Sequence, residues 1–483
     1  MSTLKGFFKD TVLYGIASVL PRLINFALLA VYTSAFNTTQ FSLQTTWYVY
    51  AAFINVVLTL GLETAFFRFY TSESNKNNVI SSTFILLTIS SVTFLILGIG
   101  TSNALTNFFG FANPLFLKIL ICTTFLDTLV VIPFALLRVT GRPIRFLILK
   151  LVNVIFLALI TILLLVYIPK LISQDSQIPE LLGLTKNFKP DIVHIFMANL
   201  AASLLTLVCL FPEILKINWV WDRILILKLL NYSLPIMVGG FAFVINENAD
   251  KLLIPSLIDK NANGIYSACY KLGVFITLYI TAFRLGAEPF FFNHAYTIDA
   301  KVKYSKIMTW FVIFGCFFIL GVVAFIDLFA SMFLRQNIYL SGLIIVPVIL
   351  LANLFSGIYN NLSIWYKLTD RTRYGMYISI FGAIITIISL LLLVPLLGIM
   401  GAALATLITY VTMVLISGFL GRAHYPIPYE IGKLALIILF TILLSGISFL
   451  LVRGQFTFNV LLLVFYLLVL TILQKKDITK MMQ

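Results

Sequence analysis

The run TVLYGIASVLPRLINFALLAVYTSAF, residues 11–36, contains one charged residue, Arg22, among apolar and small side chains. An α-helix rises about 1.5 Å per residue, so roughly 20 such residues cross the hydrocarbon core of a bilayer. The run is long enough, and no small-residue cleavage site punctuates it. It therefore reads as a retained first span and not as a removed leader. The same criterion, apolar stretches between charged or Pro/Gly breaks, places further spans near 41–67, 79–105, 115–137, 144–168, 191–212 and 224–249. The second half gives 263–288, 305–327, 338–361, 374–396, 399–420, 430–452 and 456–474. The expectation is an all-α polytopic membrane protein of about fourteen spans. Composition agrees. The chain is 61% hydrophobic and 11% charged, with a mean hydropathy of +1.05, whereas a soluble domain carries about 25% charged residues.

With the N-terminus on the cytoplasmic side, twenty-one of the 33 Lys and Arg residues fall in cytoplasmic segments. They form clusters such as Arg138/Arg142/Arg145, Lys301/Lys303/Lys306 and Lys367/Arg371/Arg373. Eight fall on the opposite side and four inside spans. The bias fits the positive-inside rule and predicts a bacterial inner-membrane protein with both termini cytoplasmic. It also removes a nucleic-acid reading of the +15 net charge, because the basic residues are scattered loop anchors and not one patch. Cys122, Cys209, Cys269 and Cys316 lie in apolar runs without a CxxC pair, and the three histidines are dispersed, so no metal site or cofactor is expected. Loops are short, the longest near 170–190. None is large enough to hold an independent active site, and no catalytic residue is expected.

Two local echoes suggest an internal repeat. Gly61-Leu62-Glu63-Thr64-Ala65-Phe66-Phe67 at the end of the second span resembles Gly286-Ala287-Glu288-Pro289-Phe290-Phe291-Phe292 at the end of the eighth. Thr140-Gly141-Arg142 before the fifth resembles Thr369-Asp370-Arg371 before the eleventh. A spacing of six spans preserves orientation, so the pattern predicts two parallel six-span bundles, 1–222 and 223–425, with a site between them. Residues 426–483 then add two spans and a tail.

Ionisable groups at membrane depth are costly and face a cavity or a partner. Arg22 follows Pro21, and Gly15, Ser18, Arg22 and Asn25 share one helix face. Tyr48, Asn55, Thr59 and Glu63 share a face of the second span, with Arg68 as a local partner for Glu63. Asp127 sits near the middle of the fourth. In the seventh, Asn246, Glu247, Asn248, Asp250 and Lys251 cluster, and Glu247 with Lys251 forms an i, i+4 pair. In the eighth, Ser267, Lys271, Thr277, Thr281, Arg284 and Glu288 read as one stripe. The repeat maps Arg22 onto Glu247. Arginine donates bidentate hydrogen bonds to phosphate, so the deep cations suit an anionic cargo.

Several segments carry a resemblance: Lys9-Asp10-Thr11-Val12-Leu13-Tyr14-Gly15, Ser18-Val19-Leu20-Pro21-Arg22, Glu63-Thr64-Ala65-Phe66-Phe67-Arg68-Phe69, Asn248-Ala249-Asp250-Lys251, and Gly264-Ile265-Tyr266-Ser267 leading to Tyr270-Lys271-Leu272. With Arg371, they resemble the polysaccharide (O-antigen and capsule) flippases of the multidrug/oligosaccharidyl-lipid/polysaccharide exporter superfamily. The resemblance implies a V-shaped cavity and alternating access. It implies a cargo of undecaprenyl-diphosphate-linked oligosaccharide, moved from the cytoplasmic to the periplasmic leaflet for lipopolysaccharide or capsule synthesis. It places Arg22 and Arg284 where related lipid II flippases have cavity arginines. It also implies coupling to Na+ or H+, with Glu63, Asp127, Glu247 and Asp250 as candidates, and other polysaccharide-assembly proteins as partners. On this basis Arg22 and Arg284, aided by Lys271, clamp the diphosphate, and Asn25, Asn55 and Thr281 meet the sugars. A cation-coupled drug or metabolite antiporter, an intramembrane glycan polymerase or ligase, and a scaffold for assembly enzymes are the alternatives.

Overall fold

The computed structural model describes residues 2–108, 113–174, 188–293, 297–369 and 371–473, without the side chains of 2–14, 288, 289, 292 and 293. The Lys5, Lys9 and Glu288 side chains, most of the 170–190 loop, Asp370 and the basic tail from Lys475 lie outside the described residues. Among those described, thirteen helices are long and apolar enough to cross a membrane. They are α1 Gly15–Ala35, α2 Thr38–Ser72, α3 Lys76–Phe108, α4 Pro114–Val139, α5 Pro143–Ser173, α6 Ile192–Ile214 and α7 Arg223–Leu257. The chain continues with α8 Lys260–Ala287, α9 Ala300–Ala324, α10 Asn337–Leu368, α11 Arg373–Leu397, α12 Ile399–His424 and α13 Ile431–Leu450. A shorter apolar helix, α14 Phe456–Leu473, follows. Each of the fourteen expected spans corresponds to one of these helices.

Local chemistry sets many boundaries. Asn37 opens α2 with a capping box to Gln40. Asn113 caps α4 with Pro114 at its first position. Asp191 and Asp259 accept backbone N–H groups at the starts of α6 and α8. These side chains satisfy donors that a helix start leaves open.

Two compact units divide the chain, Met1–Leu252 and Leu253–Gln483. In the first, α1 packs on α5, α3 on α4, and α6 on both α4 and α5. Trp47 anchors that packing. It stacks on Phe196 with ring centroids 4.4 Å apart and donates its indole N–H to the Phe116 carbonyl at 3.0 Å. In the second unit, α12 packs on α10 and α11, α8 on α10, and α9 on α13 and α14.

The two echoes differ in structure. Thr140 and Thr369 each donate both N–H and hydroxyl to the carbonyl four residues back, Leu136 and Trp365. Arg142 and Arg371 each close a bond five residues back, to Leu137 and Tyr366. These are the same helix-ending wrap, with Gly141 in the left-handed conformation at φ 67°. The Gly61 echo has no such counterpart. Leu60 and Gly61 lie at φ 51° and 66° and break α2, whereas Gly286 continues its helix. A Cβ on Gly61 would stand 2.6 Å from the Ser233 carbonyl oxygen of α7, and one on Gly286 would meet nothing within 4 Å. Gly61→Ala is therefore expected to lower stability by about 2 kcal/mol or more, combining left-handed strain with a backbone clash. Gly286→Ala is expected to melt at or above the wild-type temperature. Thermal unfolding of the purified proteins in one detergent checks both.

Candidate functional site

Two groups of charges within the first unit's helices hold its expected site residues. One gathers on α7 and α1. Lys251 Nζ lies 2.9 Å from Asp250 Oδ1 and donates to the Glu247 carbonyl oxygen at 2.9 Å. The expected side-chain pairing of Lys251 with Glu247 gives way to Asp250, which also accepts the Lys251 backbone N–H. Lys251 does not snorkel from a span end. α7 runs on to Leu257, and the Lys251 and Asp250 side chains are 8% and 4% exposed. Glu247 lies within electrostatic reach of Lys251, Arg22 and Asp250. Arg22 and Glu247, mapped onto equivalent places by the repeat, are thus neighbours within one unit. Arg22 and Asn25 are both exposed on α1. An exposed guanidinium at mid-span requires polar surroundings.

The second group joins α2, α4, α5 and α6. Glu63 Oε1 accepts a hydrogen bond from Arg138 Nη1 at 3.1 Å, and the Arg138 guanidinium lies 4.7 Å over the Phe67 ring. The expected local partner, Arg68, lies instead 4.4 Å over the Tyr232 ring. The break at Leu60–Gly61 separates Glu63 from the α2 face that carries Asn55 and Thr59. Asp127 accepts a hydrogen bond from the Ser203 hydroxyl of α6 at 2.6 Å. Lys150 of α5 stands 4.2 Å over the Phe134 ring, within electrostatic reach of Asp127 and Glu63. Sequence reasoning passed over Lys150. Its signal was a lone lysine inside the fifth span, one turn before Asn153, whose amide donates to Thr206 at 2.8 Å. Asn55 presents a buried Oδ1 with no hydrogen-bond partner among the described residues.

In the second unit, Arg284 lines a pocket with Lys367, Asn360 and Asn361, over a wall that includes Phe283 and Phe311. No described Asp or Glu lines it. Lys271 and Thr281 are half-buried and buried, and neither lines this pocket. The single stripe expected on α8 is interrupted at Phe275. There Phe275 N–H bonds to the Leu272 carbonyl and Leu278 N–H to the Phe275 carbonyl. Such three-residue bonds wind more tightly than an α-helix and shift the angular register. Lys271 also lies thirteen residues from Arg284, roughly 20 Å along the axis. Among the described residues, no group of three or more His, Cys, Asp or Glu is placed to hold a metal ion.

A family model described as polysaccharide biosynthesis protein matches residues 192–284, from the start of α6 to Arg284. No curated protein matches the chain. The solved lipid II flippase MurJ, in an inward closed conformation, superposes with a TM-score of 0.73 at 17% identity, covering 97% of this chain and 100% of that one. An inward-facing multidrug resistance MATE family transporter of the MOP superfamily gives 0.66 at 13% identity, covering 89% and 98%. A MOP superfamily transporter from Pyrococcus furiosus gives 0.56 at 14% identity, covering 89% and 96%. The chain has the fold that these membrane proteins share.

Proposed function

We propose that this protein carries an anionic lipid-linked oligosaccharide, of the undecaprenyl-diphosphate type, across the bacterial inner membrane by alternating access. The observation that carries the reading is the pocket of the second unit, which Arg284 and Lys367 both line with no described acid among the lining residues. It supports an anionic cargo, in a chain whose fold matches that of a lipid II flippase along nearly its whole length. The Lys/Arg bias supports cytoplasmic termini. The six-span bundles 1–222 and 223–425, with 426–483 added, are the proposed moving and accessory parts, whereas the compact units divide within α7, at Leu252. No covalent step is required, since the cargo only changes leaflet.

A second reading is a cation-coupled antiporter. It is favoured by the MATE likeness and by acids set within the first unit's helices, Asp127 on Ser203 and Glu247 near Arg22. Ion coupling through Glu63, Asp127, Glu247 or Asp250 is compatible with both readings. Deletion of the gene separates them. Loss of surface glycan, with lipid-linked units accumulating on the cytoplasmic leaflet, is the expected result. Unchanged glycan with altered drug tolerance would favour the antiporter.

A further inference from the structure

We propose that a groove between the start of α9 and the segment entering α13 binds the headgroup of an anionic phospholipid of the surrounding bilayer. The inference does not depend on the cargo.

The groove is built before any lipid enters it. α9 packs on α13 within the second unit. Ser305 donates its hydroxyl to the Pro428 carbonyl at 2.6 Å, and Thr309 donates to the Ser305 carbonyl at 3.1 Å. These bonds engage two buried hydroxyls and hold the start of α9 against the chain that leads into α13. With Lys306, Trp310 and Glu430 they line a cavity of about 230 Å³. A single water needs about 10–15 Å³ of such space, so a phosphate with its ester arms has room.

The charges favour an anion. The Glu430 carboxylate lies 3.2 Å from Lys433 Nζ and is thereby balanced. Lys303, three residues before Lys306, is held by Asp299 at 2.9 Å. Lys306 is exposed and has no ion pair or hydrogen bond among the described residues. The Trp310 indole N–H likewise has no hydrogen bond among them. An ammonium and an indole N–H are both donors, which suits the oxygens of a phosphate.

The order of side chains points to a lipid as the source of that phosphate. Lys306, Trp310 and Phe314 recur every four residues and share one face of α9. Trp310 stacks on Phe314 with ring centroids 5.7 Å apart, and Phe314 is 52% exposed although its helix is mostly buried. Cation, indole and bare ring follow the sequence of headgroup, interface and acyl chain in a bilayer leaflet. A free phosphate ester would meet only the first of these, and a diacyl phospholipid meets all three.

The test uses the purified full-length protein in a neutral detergent, titrated with dioleoyl phosphatidylglycerol and read by native mass spectrometry. Lys306→Gln is expected to weaken the tightest binding event about fivefold, the scale of one lysine at an anionic lipid surface. Trp310→Phe, which keeps a ring and removes the N–H, is expected to weaken it by about the same factor. Lys306→Arg is expected to retain binding, which separates loss of charge from loss of fold. Lys303→Gln lies on the same helix end outside the groove and is expected to bind as wild type. Dioleoyl phosphatidylcholine, which carries no net charge, is expected to bind at least about fivefold more weakly. Glycerol 3-phosphate, which lacks acyl chains, is expected to bind at least about tenfold more weakly. Wild-type affinity in both Lys306→Gln and Trp310→Phe would overturn the site, as would an equal loss in Lys303→Gln. Equal binding of phosphatidylcholine would overturn the anionic headgroup, and equal binding of glycerol 3-phosphate would overturn the lipid source.

Discussion

Glutamine at Arg22 or at Arg284 is expected to lower surface glycan at least about tenfold at matched expression, the scale of one charge-assisted hydrogen bond lost from the cargo complex. The two sites make a clean test because both side chains are exposed. Surface substitutions away from packed features change stability by about 0.5 kcal/mol or less, so both variants should reach the membrane in normal amounts. Lysine at either position keeps the charge and loses the planar fork, and should fall between wild type and glutamine. Arg22 carries an additional expectation, because Glu247 lies within its electrostatic reach. Removing Arg22 takes a balancing charge from Glu247, so, if export is ion-coupled, Arg22→Gln should alter ion dependence as well as cargo export. Arg284 has no described acidic partner, and its variant should change cargo handling alone. Full export from both glutamine variants would sink the clamp.

How far the sequence was readable depends on the range of the interaction concerned. Hydropathy adds along the chain, so the fourteen apolar segments were legible residue by residue. The caps act as locally, since Asn37, Asn113, Asp191 and Asp259 bond within three residues of themselves, but the expected boundaries rested on hydropathy and breaks alone. Charge partners were not. Glu63 meets Arg138, 75 residues away, and its near neighbour Arg68 lies over the Tyr232 ring instead. The α8 stripe failed on a tight turn at Phe275, a residue with no breaking signal of its own. Lys367 was read as one more cytoplasmic anchor. Only the fold of α10 shows that it shares a pocket with Arg284. Of the two echoes, the Thr-Gly-Arg one carried structural information because those residues determine how a helix ends. The Gly-x-Glu one did not, because its glycine is needed only where α7 crowds the backbone.

Asp250→Ala is expected to destabilise the protein by about 3–5 kcal/mol, the cost of removing one partner from a buried ion pair. The pair is well defined. Lys251 Nζ stands 2.9 Å from the Asp250 carboxylate, and both side chains are almost fully enclosed. Alanine leaves a buried ammonium without the carboxylate that balances it, in a medium that screens charge poorly. The double variant Asp250→Ala/Lys251→Met removes both charges and should recover most of the loss, since a buried pair replaced by apolar side chains is often close to neutral. Thermal unfolding in detergent checks both, and equal destabilisation by the single and double changes would show that the ion pair is not the cause. The double variant also separates two roles for Asp250. If Asp250 takes up the coupling ion, the restored fold should still fail to drive export. If Asp250 only balances Lys251, export should return with stability. Glu247, one turn away and within electrostatic reach of Arg22, would then be the acid of α7 left to test for ion coupling.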